Sequence, residues 1–182
     1  MAEVGTVLRQ GNTDTMTFRH PASASGGAYV EVEAVYSPMP DIRPPVHSHP
    51  RQDEHFEVLD GELHLDIEGE RRVLHAGDAL DLPRGLRHTA WNGGAERNRF
   101  IWRTTPALRT EAMYEKLWSL ADEGKMGRHG SPPPGLLQGG VLMFAYRHEY
   151  RLARPPYPIL LAGTAVLGAV GLLCGYRAHV PR

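Results

Sequence analysis

The chain has 182 residues, enough for one ordinary domain with an appendage, and its 41% apolar and 23% charged composition is that of a folded protein. A net charge of −1 gives no concentrated positive surface and excludes nucleic acid as the expected partner. The single cysteine, Cys174, excludes an intrachain disulfide and fits a reducing, cytoplasmic setting. The start, Met1-Ala2-Glu3-Val4-Gly5, has no basic stretch followed by an apolar core, so no signal peptide is expected.

Residues 1–13 read as a polar lead-in. From Ala28 to Tyr36 the chain alternates, with Val30, Val32, Ala34 and Tyr36 on one face and Glu31 and Glu33 on the other, which predicts a strand with one buried side. Pro38 and Pro40 break it, and Pro44-Pro45 sets an extended path. A short strand follows from His55 to Leu59, and Asp60-Gly61 turns tightly. Leu63, Leu65 and Ile67 alternate with His64, Asp66 and Glu68 before further turns at Gly69 and Gly77. Ala79 to Leu82 is a strand ended by Pro83, and Arg99 to Thr104 is a last one. Many short strands at about ten-residue spacing predict an antiparallel sandwich or barrel over residues 14–106. Helical spacing then appears from Leu108 to Glu123 and from Val141 to Leu152, in an extension over residues 107–154.

Two motifs inside the barrel carry chemistry. In the first, His47-Ser48-His49 lies on an extended path, so both imidazoles point to one face and can bite one metal ion. Glu54 opens the next strand and returns a carboxylate to the same place, and Gly61 stands where a Cβ would strain the turn. The second runs from Gly77 through Pro83, Arg84, Gly85 and His88 to Asn92 and brings a fourth ligand on another strand. Three neutral imidazoles and one carboxylate suit Fe, Mn, Ni, Cu or Zn as a divalent ion, with positions left open for water, substrate or oxygen if the ion is octahedral.

Both motifs resemble those of the cupin superfamily, in its small single-domain, type-2-like form, over about residues 30–105. The resemblance implies an all-β double-stranded β-helix, a jelly-roll barrel, with a helical C-terminal extension. It implies His47, His49, Glu54 and His88 as the metal ligands and Gly61, Gly77, Pro83, Gly85 and Asn92 as structural turn positions. It also implies a homodimer. Phe56 shares the face of Glu54 and Trp102 lies on the last strand; both are candidate walls of a substrate pocket as well as candidate core residues. Arg103 is a surface residue or, if it points inward, a carboxylate-binding one.

One fold hosts many reactions, so the resemblance does not name one. The leading reading is a mononuclear metalloenzyme acting on a small organic molecule, with the three-histidine, one-glutamate set favouring dioxygenase chemistry over isomerisation or elimination. The alternative is a non-catalytic ligand-binding or sensor cupin.

The last segment, residues 155–182, contains an uncharged run from Ile159 to Cys174 which, with Gly175 and Tyr176, reaches eighteen residues. At 1.5 Å per residue that just spans a hydrocarbon core about 30 Å thick. Arginines and tyrosines flank it, and Thr164, Gly168, Gly171 and Gly175 share one stripe. Two readings compete: a transmembrane helix anchoring a cytoplasmic barrel to the membrane through residues 159–176, or a helix packed on protein.

Overall fold

A computed structural model describes residues 2–11 and 13–180. In chain order the strands of the barrel are β1 (Val7–Gln10), β2 (Asp14–His20), β3 (Val30–Tyr36), β4 (His47–Ser48), β5 (Asp53–Asp60), β6 (Glu62–Ile67), β7 (Glu70–His75), β8 (Ala79–Leu82), β9 (His88–Trp91) and β10 (Asn98–Thr105). After them come α1 (Thr110–Asp122), α2 (Leu136–Ala145), β11 (Arg151–Leu152) and α3 (Tyr157–Leu173). The strands form two antiparallel sheets, ordered β1-β2-β3-β10-β5-β8 and β11-β4-β9-β6-β7. This is the all-β double-stranded β-helix with a helical C-terminal part that the sequence implied.

The alternation in the sequence explains the layers. Phe18, Val32, Phe56, Leu63, Leu65 and Phe100 are each no more than 1% exposed and fill the space between the sheets. Strand β10 lies between β3 and β5 and sets the long axis of the barrel. Its first residue, Asn98, pairs with Tyr36, while Thr104 near its other end pairs with Glu54.

Several features depart from the sequence reading; the second helix, expected from Val141 to Leu152, spans Leu136–Ala145. The polar lead-in contains strand β1, whose residues pair with β2 from Val7↔Thr17 to Gln10↔Asp14. It is only four residues long and lies at the edge of its sheet, so periodicity gave no signal. The extension is also not purely helical. Arg151 and Leu152 pair with Ser48 and His47, so the chain returns to the barrel and adds an edge strand beside the first histidine.

The transmembrane reading of residues 159–176 is overturned. Among the described residues no helix is long and apolar enough to cross a membrane. Helix α3 has 17 residues, and at 1.5 Å each it measures about 25 Å, short of a hydrocarbon core about 30 Å thick. It stops because Gly175 takes φ +90°, leaving Gly175 and Tyr176 outside the helix. Its small-residue stripe serves protein packing: Thr164, Gly168 and Gly171 are the buried positions, and a Cβ on Gly171 would stand 2.7 Å from Val141 Cγ2 on α2. Other large side chains of α3, such as Val166 and Leu173, are exposed.

Candidate metal centre

The extended segment before β5 places His47 and His49 on one side, and His47 pairs directly with His88 across β4 and β9. Ligand nitrogens of His47, His49 and His88 all lie within 4.8 Å of one another, so this group could hold a metal ion. Glu54, the second residue of β5, reaches the same point. Its Oε1 lies 3.4 Å from His49 Nε2, and its Oε2 lies 2.9 Å from His88 Nε2.

The backbone fixes how the rings face. His47 Nδ1 donates to Pro45 O at 2.9 Å, His49 Nδ1 to Glu149 O at 2.6 Å, and His88 Nδ1 to Leu86 O at 3.1 Å. With Nδ1 carrying the proton, each Nε2 presents a lone pair to the centre. Lone pairs and a carboxylate cannot satisfy one another. His49 Nε2 and Glu54 Oε2 accordingly have no hydrogen-bond partner among the described residues, although both are buried. A divalent cation is the group that four such converging donors fit.

Burial and the Glu54 charge act differently on the three imidazoles. Burial pushes the His47 imidazole well down, with the neighbouring His49 adding to the effect, and burial also lowers His49. At His88 burial acts the same way, but the Glu54 carboxylate beside it outweighs burial and raises it. Burial alone would raise the carboxyl of Glu54; the surrounding imidazoles, His49 first, bring it down to about 2.

Around these donors the chain builds supports. Trp102 Nε1 donates to Glu54 Oε1 at 2.8 Å and holds the carboxylate in place. Tyr150 stacks on His47 with ring centroids 4.4 Å apart. Glu149 O and Tyr150 come from the segment just before β11, a hundred residues after His49. No spacing rule in the sequence points to either.

The turn positions explain themselves locally. Gly61 takes φ +71°, and a Cβ there would lie 2.9 Å from Arg97 O, so only glycine fits between β5 and β6. Gly77 and Gly85 also have positive φ, and Gly85 N donates to His49 O at 2.9 Å, tying the Pro83–Gly85 turn to the ligand segment. Pro83 directly follows β8. Asn92 Nδ2 donates to Tyr36 O and Glu96 O, and its Oδ1 accepts from Gly94 N.

The donors open into a cavity of about 430 Å³ between the barrel mouth and the helical extension. Its walls are largely aromatic or apolar and include Phe56, Trp102, Tyr114, Trp118, Tyr146 and Tyr150. Phe56 and Trp102 thus serve as core and as cavity wall at once, with rings stacked 5.7 Å apart. Arg103 points away, its guanidinium paired with Glu31 on the outer face. His55 and His64 pair with Asp81 and Glu62, and His75 is largely exposed. Sequence reasoning also missed the cavity residue His129, which lies in a short turn with no motif around it.

Comparison with known proteins is consistent with this geometry. Residues 36–103 match the family described as Cupin domain. A 60-residue stretch is 35% identical to "Polyketide synthase CurC" of Streptomyces cyaneus, covering 33% of this chain and 39% of that relative, so well under half of the relative's length is matched. Among solved structures the chain is similar to KdgF from Halomonas sp., with TM-score 0.48 and 20% identity over 58% of this chain and 90% of that one. It is also similar to the polyketide cyclase RemF from Streptomyces resistomycificus, with TM-score 0.44 and 23% identity over 52% of this chain and 66% of that one. The match identifies residues 36–103, on a double-stranded β-helix bearing both motifs, as a cupin domain.

Proposed function

We propose that this chain is a metal-dependent enzyme acting on a largely apolar, ring-bearing small molecule of the polyketide kind. The molecule would lie in the cavity beneath the helical extension, with one oxygen at the site formed by His47, His49, Glu54 and His88. The observation that carries this reading is the junction of four converging donors, with His49 Nε2 and Glu54 Oε2 left without a hydrogen-bond partner, and an aromatic cavity of about 430 Å³. That volume is in the range of small-molecule sites, where apolar walls supply affinity and a few polar groups fix orientation. The substrate class is supported by the match to CurC.

A bound divalent ion of the Fe, Mn, Ni, Cu or Zn group would supply a Lewis acid to that oxygen. The chain's own residues do the rest. Trp102 holds Glu54 as a carboxylate aimed at the site, and the three backbone carbonyls hold the imidazoles in one tautomer. Tyr150, Tyr114 and Trp102 cover the donors and keep water from the reacting end.

The test uses zinc- or iron-loaded protein and 1-hydroxytetracene-5,12-dione, a flat molecule with a hydroxyl and a carbonyl placed to bind one metal. Binding, read by tryptophan quenching, should require the metal and be lost in His49→Ala. Equal binding with and without metal would contradict the proposal. Product mass in ¹⁸O₂ separates the chemistries: incorporated label marks dioxygenation, an unlabelled new product marks oxygen-independent chemistry, and no product leaves the non-catalytic binding reading.

A further inference from the structure

The cavity has a second polar wall that the metal centre does not use. His129 lines it, next to Tyr36 with ring centroids 4.0 Å apart and edge-on to Trp118 at 6.4 Å. Its Nε2 lies 3.1 Å from Asp14 Oδ2. Asp14 is fully buried, and its carboxylate also accepts from Ser37 N and from the Arg128 guanidinium. A carboxylate so placed requires the proton on Nε2, which leaves the lone pair on Nδ1. His129 Nδ1 makes no hydrogen bond among the described residues.

The backbone adds an independent sign. His129 has φ +50° and ψ +32°, a left-handed conformation that strains a residue bearing a side chain. Anchoring this turn to Asp14 is already done by Arg128, so the strained residue is not needed for that purpose.

The two polar walls stand far apart. On β10, Thr104 pairs with Glu54 and Asn98 pairs with Tyr36, the residue against His129. Six residues of strand separate these levels, so the two walls lie at different depths of the cavity. Between them runs a row of rings: Trp102 to Phe56 at 5.7 Å, Phe56 to Phe100 at 6.3 Å and Phe100 to Tyr36 at 5.1 Å.

We propose that His129, oriented by Asp14, is a second substrate-binding residue: its Nδ1 accepts a hydrogen bond from a hydroxyl at the end of the molecule remote from the metal. The occupant is then a molecule of several fused or linked rings with oxygen at both ends, since a single ring cannot reach both walls. This inference rests on the function proposed above and sharpens its substrate class.

The experiment compares zinc-loaded wild-type protein and His129→Gly binding 1-hydroxytetracene-5,12-dione and its 8-hydroxy derivative. Glycine suits the positive φ, and His129→Asn serves as a second variant should the first lose its fold. In the wild type the distal hydroxyl should strengthen binding about five- to tenfold, the worth of one hydrogen bond. In the variants that gain should vanish while zinc content is unchanged. No gain in the wild type, or a gain that survives in the variants, overturns the assignment. Failure of the parent compound to bind metal-loaded wild type would instead overturn the proposed function itself.

Discussion

Trp102→Phe isolates the support of the Glu54 carboxylate. Phenylalanine keeps a ring in place of the indole, which is stacked 5.7 Å from Phe56 and tilted 5.1 Å from Tyr114, so packing should change little. What is lost is the 2.8 Å hydrogen bond from Nε1 to Glu54 Oε1. A hydrogen bond to a charged group contributes about 1.5–3 kcal/mol, and Glu54 is 3% exposed, so water cannot readily replace it. If that energy serves to aim the carboxylate at a metal, affinity should fall about ten- to a hundredfold, as for other groups that orient metal ligands. Zinc competition against a chromophoric chelator measures this directly, with circular dichroism to verify the fold. Unchanged zinc affinity in a folded Trp102→Phe protein would show that Glu54 is not a ligand or needs no orienting.

Other perturbations follow from single geometric facts. Gly61→Ala adds a Cβ 2.9 Å from Arg97 O at φ +71°, and should lower the thermal midpoint through a loss of about 1–3 kcal/mol, read by thermal denaturation. Gly171→Leu places a side chain where even a Cβ meets Val141 Cγ2 at 2.7 Å; it should part α3 from α2 and make the C-terminal segment more sensitive to proteolysis. Asp14 gives an acid signature. Burial alone would raise its carboxyl, but hydrogen bonds led by His129, with Ser37 and Arg128, bring it from 3.8 to about 2. A lowered carboxyl stabilises the fold above its unfolded value, and this contribution of about 2 kcal/mol is lost as pH falls from near 4 through 2. Urea unfolding across that range should fall less steeply for Asp14→Asn than for wild type; equal slopes would contradict the burial and pairing of Asp14.

The sequence exposed those parts of the structure that depend on local spacing. His47 and His49 are two apart on an extended path, which puts them on one face whatever surrounds them. Glycines forced into positive φ, such as Gly61, are likewise local demands, as is the stop that Pro83 imposes on β8. What was not legible depends on contacts across long stretches of chain. Glu149 O orients His49, and Leu152 pairs beside His47, through an edge strand only two residues long and without periodicity. The uncharged run in residues 159–174 was ambiguous for a physical reason. Composition and small-residue stripes look the same whether the partner is another helix in lipid or α2 in this protein, and the length decided it only once Gly175 was seen to end the helix. His129 was invisible because its role comes from Asp14, far away in the chain.

Everything proposed for this site depends on His47, His49, Glu54 and His88 binding one divalent ion. The direct test is metal analysis of protein purified without chelator, air or a histidine tag, beside His49→Ala. The wild type should hold about one equivalent of Fe, Mn, Ni, Cu or Zn, lost in the variant. A wild-type protein that holds no metal and takes none up on titration would contradict it.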